Sequence, residues 1–330
     1  MPSSRGKGVL RFLLALTLTL AVAGAAESGS AQTYPTRPIR LLVSYPPGGA
    51  ADLVARALGT PLAARLGQPV VVENRPGSNG NLAGELVAGA APDGYTLLLG
   101  PSALFGINPH LYSKMSIDPL KDLLPVASLV SNALVLAADP NLPPRDFRSF
   151  IDFARHASPP LFYASIGNGS EHHLAMELLK ETAGINLTHV PYKGGGPAAL
   201  GVMGGNVAAM FGGGSVAPLV QSGKLRGLAV SSRTRVAVLP DLPAIAELYP
   251  DYEVTLWQGL FAPVGTRREI IERLRAEVTA VLAQADVKEK LAAAGAGDPY
   301  ITTPAEFAAR IRSDYARYGR IIAALGLKVD

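Results

Sequence analysis

The sequence predicts an α/β fold arranged as two lobes. Two observations carry this reading: apolar strands alternate with helix-period stretches from Arg40 to Leu99, and the same alternation recurs between Ala133 and Ser231. A mainly helical tail follows from Arg267. Alternating strands and helices imply parallel pairing in sheets covered on both faces. A length of 330 residues favours two domains over one, and 48% apolar with only 17% charged residues excludes disorder as the main state. The 35 glycines and 27 prolines make about 19% of the chain where about 12% is usual. Such a fold needs many tight turns or bare backbone, and little surface charge.

The first segment is not part of that fold. Arg5, Lys7 and Arg11 precede an uncharged run from Phe12 to Ala26, followed by small residues up to Ala31. A basic start, an apolar stretch and a small-residue end form the pattern of a secretory signal. The run falls short of the roughly 20 residues that span a bilayer. Residues 1–31 are therefore expected to be removed after Ala31, with Ala23 or Ala26 as alternative ends. Their loss lowers the formal charge from +4 to about +2.

The elements then follow in order. Ile39 to Ser44 reads as a buried strand, and Leu53, Val54, Ala57, Leu58, Leu62 and Leu66 recur at helical spacing until Gly67. Val70 to Glu73 is a strand, Leu82 to Ala90 a helix, and Tyr95 to Leu99 a strand after the Asp93-Gly94 turn. In the middle, Ala133 to Ala138 reads as a strand, Phe147 to His156 as a helix, Phe162 to Ser165 as a strand and His172 to Ala183 as a helix. Val207 to Phe211 and Leu228 to Ser231 read as strands around a short helix from Val216 to Ser222. In the tail, Thr266 to Glu269 and Thr303 to Glu306 fit capping boxes, the latter with Pro304 at the first helical position. The expected division is residues 32–133 with 253–330 as one lobe and 134–252 as the other.

Several chemistries are excluded or disfavoured. Without cysteine there are no disulfides, thiolate metal sites or cysteine nucleophile. No serine stands in a Gly-x-Ser-x-Gly turn, no Walker loop is present, and Gly167-Asn168-Gly169-Ser170-Glu171-His172 fails the dinucleotide fingerprint at its sixth position. His172 and His173, adjacent on a helix, point about 100 degrees apart and do not chelate one ion. His172 reads either as a polar helix-start residue or as a donor facing a ligand. Basic residues are dispersed without aromatic interleaving, which argues against nucleic acid. No catalytic, metal or cofactor site is expected. A secreted α/β hydrolase stays as the rival class, because paired carboxylates need not be neighbours in sequence.

Four glycine-rich turns fall between strands and helices: Tyr45 to Asp52, Asn74 to Asn81, Gly167 to Ser170, and Val190 to Pro197. Bare backbone and the unpaired N–H groups of a helix's first turn suit a carboxylate or phosphate.

The residues of these turns carry a resemblance. Tyr34-Pro35-Thr36-Arg37-Pro38-Ile39, the Pro-Pro-Gly-Gly-x-x-Asp loop ending at Asp52, Val72-Glu73-Asn74-Arg75-Pro76-Gly77, Pro92-Asp93-Gly94-Tyr95, Tyr163-Ala164-Ser165, His189-Val190-Pro191-Tyr192-Lys193-Gly194 and Trp257 with Gly259-Leu260 occur in order over nearly the whole chain after residue 33. The chain resembles the substrate-binding proteins of tripartite tricarboxylate transporters, the Bordetella uptake gene proteins. The resemblance implies a two-lobed, type II periplasmic-binding-protein-like fold with a ligand cleft between the lobes. It implies a periplasmic, monomeric receptor, without enzymatic activity, that delivers a small organic carboxylate to a membrane permease. Presentation of the ligand to a sensor domain is the other role it leaves open. The implied ligand-binding residues are Tyr45, Gly49, Ala50, Asp52, Ser78, Asn79 and Ser102 in one lobe. In the other they are Ser165, Gly167, Ser170, Tyr192 and Gly194. Asp52 either touches ligand or orders its loop. Tyr192 and Trp257 serve either the site or the packing, and Lys193 either screens ligand charge or faces solvent. Family members often carry acids where this chain has Ala208 and Gly212. That difference favours a di- or aromatic carboxylate over an amino acid, whose ammonium group would want an acid.

Overall fold

The computed structural model describes residues 34–48, 50–293 and 296–329. The proposed secretory signal lies outside the described residues, as does Gly49. The first part of the chain runs β1 (Ile39–Val43), α1 (Ala50–Leu66), β2 (Val70–Asn74), α2 (Asn81–Ala88), β3 (Thr96–Pro101), the short helices α3 (Ser102–Gly106), α4 (Asn108–Leu111) and α5 (Pro119–Asp122), then β4 (Leu123–Ala133). The middle runs β5 (Val135–Ala138), α6 (Phe147–His156), β6 (Leu161–Ser165), α7 (Glu171–Ala183), β7 (Leu187–Pro191), α8 (Gly195–Met203), β8 (Ala209–Gly212), α9 (Ala217–Gln221) and β9 (Arg226–Val230). The chain returns through β10 (Thr255–Pro263), α10 (Arg268–Leu282), α11 (Ala285–Ala293), β11 (Asp298–Pro299) and α12 (Pro304–Leu325).

Two sheets organise these elements, a six-stranded one in the order β11-β4-β10-β3-β1-β2 and a five-stranded one in the order β7-β6-β8-β5-β9. The strand–helix alternation accounts for the parallel pairs β1 with β2 and β3, and β6 with β7 and β8. The sheets are mixed, however, because β10 lies antiparallel to β3 and β4, and β5 antiparallel to β8 and β9. Sequence reading found neither β4 nor β10. Opposite Gln258/Gly259 and Leu260/Phe261 the register shifts, leaving Leu129 and Val126 of β4 without partners and breaking the two-residue alternation of β4.

Local capping explains the helix limits. Thr303 and Glu306 form the expected capping box at the start of α12, with Pro304 in its first turn. The box expected at Thr266 to Glu269 does not form. Thr266 Oγ1 donates to the Pro263 carbonyl at 2.7 Å, and the helix starts one residue later, after Arg267. Ser170 caps α7 by accepting from the His173 N–H.

Phe105, Trp257, Phe261 and Phe307 cluster in the core beside the six-stranded sheet, with Phe105 and Phe261 stacked at 4.2 Å. Phe307 belongs to α12, so the tail packs on that sheet. The five-stranded sheet carries Leu136, Phe150, Tyr163, Met176 and Phe211 on one side and Val135, Val202, Met210 and Val230 on the other. Leu174 of α7 packs against Ala103, Ile107 and Leu111 and against Tyr318 of α12, which joins the two halves through an apolar contact. The connections between the sheets, at Leu134 and Val254, are both tied to buried Ser231. Its Oγ accepts from the Leu134 N–H at 2.7 Å and donates to the Val254 carbonyl at 2.5 Å.

Candidate functional site

A cleft of about 560 Å³ opens where loops from both sheets meet, a size suited to a small ligand. One wall is the β1–α1 loop, Tyr45 to Gly48 with Ala50 and Ala51; a second is Pro101 and Ser102 at the end of β3. Asn132 of β4 and Leu256, Trp257 and Gln258 of β10 form the floor, and Ile166, Glu171 and His172 close it from the five-stranded sheet. No lysine or arginine is among the described lining residues.

The β1–α1 loop is held in place by Asp52. This carboxylate is only 2% exposed and accepts from the Gly48 N–H at 2.9 Å, Asn74 Nδ2 at 3.0 Å and Arg56 Nε at 2.9 Å. The Arg56 guanidinium, with the Gly48 and Asn74 donors adding to it, brings the carboxyl down to about 2 against the cost of its burial. Asp52 thus orders the loop from below. The 17-residue helix α1 begins beside it, and its first two residues, Ala50 and Ala51, line the cleft; the first turn of a helix carries N–H groups with no partner inside the helix. Asn74 Nδ2 also donates to the Tyr45 carbonyl at 3.0 Å.

Behind Tyr45 lies an asparagine network. The Tyr45 hydroxyl donates to Asn79 Oδ1 at 3.2 Å, Asn79 Nδ2 to Asn108 Oδ1 at 3.1 Å, and Asn108 Nδ2 to Asn81 Oδ1 at 2.6 Å. Ser78 and Asn79 both have positive φ, 44° and 53°, a conformation that side chains other than glycine adopt only when their surroundings hold them there.

On the opposite wall, Glu171 is the first residue of α7. The Ser102 hydroxyl donates to its Oε1 at 2.5 Å and so links α3 to α7 across the cleft. Burial pushes the Glu171 carboxyl up to about 7, against the Ser102 bond, with nearby Asp314 adding to the rise. Burial also keeps the His172 imidazole neutral, down to about 4. His172 Nδ1 and Gln258 Oε1 are buried with no hydrogen-bond partner among the described residues. Trp257 is 1% exposed and donates Nε1–H to Asp314 Oδ2 at 2.7 Å, so it serves both the core and the cleft wall.

Of the residues singled out from sequence, Tyr45, Ala50 and Ser102 line this cleft, and Asp52 and Asn79 support it from behind. Ser78 sits in the turn beside Asn79. Ser165, Gly167 and Ser170 bond one another: Ser165 Oγ donates to the Gly167 carbonyl at 3.0 Å, and Ser170 Oγ donates to the same carbonyl at 2.7 Å. They shape the loop before α7 and are not in the cleft wall. Tyr192 packs with its ring against Gly201 and the α8 side of the sheet, and Gly194 precedes α8. Lys193 is exposed. The reading of Ala208 and Gly212 also changes. Ala208 is buried at the far end of β8, where its N–H donates to the Phe162 carbonyl at 2.8 Å. A Cβ at Gly212 would meet Val216 Cγ2 at 2.1 Å, so packing accounts for the glycine. Neither position lines the cleft.

Sequence reading missed Glu171, Asn132 and Gln258. Glu171 follows a capping serine and reads as an ordinary first-turn acid, while Asn132 and Gln258 lie on β4 and β10, two of the strands that carried no signal in the sequence.

A family model described as tripartite tricarboxylate transporter family receptor matches residues 54–327. Protein BugT of Bordetella pertussis is 36% identical over 322 residues, 97% of this chain and 98% of the relative. Among solved structures, R. palustris Rpa4515 with adipate is similar at 32% identity and a TM-score of 0.74, covering 90% of this chain and 100% of that one. MatC from Rhodopseudomonas palustris with bound malate is similar at 32% identity and a TM-score of 0.70, covering 88% and 100%.

Proposed function

We propose that this chain, which belongs to the tripartite tricarboxylate transporter receptor family, binds a small organic carboxylate in the cleft and delivers it to the membrane permease of such a transporter. The family is one of periplasmic solute-binding receptors and not an enzyme class. The observation that carries the proposal is the cleft itself. It is built from both sheets, holds no cationic side chain among its described lining, and has the start of the 17-residue helix α1 at one end. A carboxylate there is received by backbone N–H groups of the β1–α1 loop and the start of α1, with Tyr45 and Ser102 lining the space beside it. Hydrogen bonds to a charged group contribute roughly 1.5 to 3 kcal/mol each, so a handful offset ordering costs and reach the approximately 8 kcal/mol of a micromolar complex.

The ligand class we favour is a di- or aromatic carboxylate over an amino acid. The relatives with adipate and malate support a dicarboxylate, and Pro46, Pro47, Ile166, Leu256 and Trp257 offer apolar walls for its carbon chain. Ala208 and Gly212, away from the cleft wall, add nothing to that choice. Tyr45, Ala50 and Ser102 are the proposed direct contacts. Asp52, Asn79, Ser165 and Ser170 hold the loops. Closure is proposed between residues 32–133 with 253–330 and residues 134–252, in a monomer exported with residues 1–31 removed. N-terminal sequencing of the exported protein checks the last point. Isothermal titration of the purified protein with adipate, malate, benzoate and a set of amino acids tests the ligand class. Micromolar binding of an acid from the first three supports it. Binding of amino acids alone overturns it.

A further inference from the structure

Resting on the carboxylate reading above, we infer that Glu171, on the wall that the five-stranded sheet contributes to the cleft, is the specificity residue, and that it receives the second carboxylate of a dicarboxylate ligand by taking up one proton.

The geometry leads there by charge. The α1 end supplies N–H donors for one carboxylate. The opposite wall is Glu171, neutral His172, Gln258 and Asn132, and no cation among the described lining residues faces it. A second ligand carboxylate seated there lies against the carboxyl of Glu171. Two carboxylates in contact do not both stay ionised; one proton between them turns repulsion into a short, charge-assisted hydrogen bond. The proton comes from solvent and resides on Glu171, whose neutral carboxyl then donates to the ligand oxygen.

The groups around Glu171 favour this assignment. On its own helix the neighbour is His172, held neutral. From the β1–α1 loop comes Tyr45, whose phenol burial keeps protonated, and from α3 the Ser102 hydroxyl, which is free to donate to Glu171 or to accept from it. From α12 come Asp314 and Tyr318. Asp314 repels a charge on Glu171, while Arg317 and Arg310 are both paired with Asp314 and so leave that repulsion only partly balanced. With burial added, the Glu171 carboxyl is poised at about 7, where a proton is taken up readily. The unpartnered Nδ1 of His172, which donates in one tautomer of the neutral ring, marks the same wall as one with a hydrogen-bonding position left for a ligand.

The experiment is isothermal titration of the whole protein with adipate and with hexanoate, its monocarboxylate counterpart. Each is run at pH 6 and pH 8 in two buffers of different ionisation enthalpy. With adipate, close to one proton is expected per complex at pH 8 and almost none at pH 6, and the dissociation constant rises about tenfold between them. With hexanoate, no uptake is expected. Glu171→Gln, which carries a permanent donor, should bind adipate with the same affinity at both pH values. Should that variant not fold, the contrast between adipate and hexanoate on the unaltered protein decides whether the proton accompanies the second carboxylate. Adipate bound without proton uptake overturns the inference and leaves carboxylate binding standing. Uptake that persists in Glu171→Gln places the proton on another group and overturns the assignment. If neither acid binds, the carboxylate reading falls and the inference falls with it.

Discussion

Asp314 of α12 is the buried acid that fixes the only tryptophan of the chain, and removing it gives a sharp test of the packing under the cleft. The carboxylate is 1% exposed and accepts from Trp257 Nε1 at 2.7 Å, Arg310 Nε at 2.9 Å and Arg317 at 2.8 Å. Asp314→Ala strands an indole N–H and two guanidinium groups whose side chains are 12% and 15% exposed. Arginine does not shed its proton, so the charge stays. Arg310 retains Glu253 and Thr255 Oγ1, and Arg317 retains the Glu253 carbonyl, which offsets part of the loss. Breaking a buried pair in this way costs about 3 to 5 kcal/mol. At roughly 2 to 4 °C per kcal/mol, the melting temperature should fall by on the order of 10 °C. Urea unfolding followed by Trp257 fluorescence reads the loss directly, and the folded baseline should show an indole more open to acrylamide quenching. A loss under about 1 kcal/mol would refute the reasoning. It would mean that Arg310 and Arg317 turn into the adjoining cavity of about 360 Å³, which they line with Arg233 and Arg320, and hydrate there.

Ser231→Ala removes the hydroxyl that holds both connections between the sheets and leaves the Leu134 N–H unpaired; a loss of about 1 to 3 kcal/mol is expected in urea unfolding, and no loss would show that the connections hold without it. Gly169→Ala places a methyl group 2.5 Å from Leu111 Cδ2 at a φ of +71°, so it should cost about 1 to 3 kcal/mol and weaken carboxylate binding measured by titration. Ligand binding should shift Trp257 emission, because the indole lines the cleft. Stability should fall on acidification. His172 and His173 are each held down to about 4 by burial, so below their unfolded value of about 6.5 the unfolded chain binds more protons and the folded state loses stability until about pH 4. Glu171, raised to about 7, acts the other way: its cost is present above pH 7 and is relieved as pH falls toward about 4.5. Two imidazoles outweigh one carboxyl, so stability falls between about pH 6.5 and 4.5 with a slope of about one proton, and more steeply below; a melting temperature constant down to about pH 4 would contradict this.

Local signals in the sequence account for much of this. The strand and helix of Phe147 to Ser165 are legible because Phe147, Phe150, Ile151 and Ala154 repeat at helical spacing and all four are buried. The Thr303 capping box is legible because both partners are three residues apart. The Thr266 box fails on the same pattern. The hydroxyl finds the Pro263 carbonyl first, a competition that spacing does not reveal. β4 and β10 escape for a different reason: their pairing joins segments more than a hundred residues apart, and two bulges scramble the alternation of β4.

The two α/β halves, the glycine-rich loops at strand ends and the family resemblance are legible in the sequence alone, because periodicity, turn residues and ordered motifs are properties of neighbouring residues. Which side chains share the cleft follows from the folded arrangement and not from any local pattern. That arrangement turned Asp52 inward as a loop anchor, and it set the first-turn acid Glu171 against Ser102 from the other half, where burial gives the carboxyl a near-neutral poise. A helix-start glutamate carries no sign of this in its own neighbourhood. Desolvation is produced by whatever packs around a group, and those partners come from distant parts of the chain.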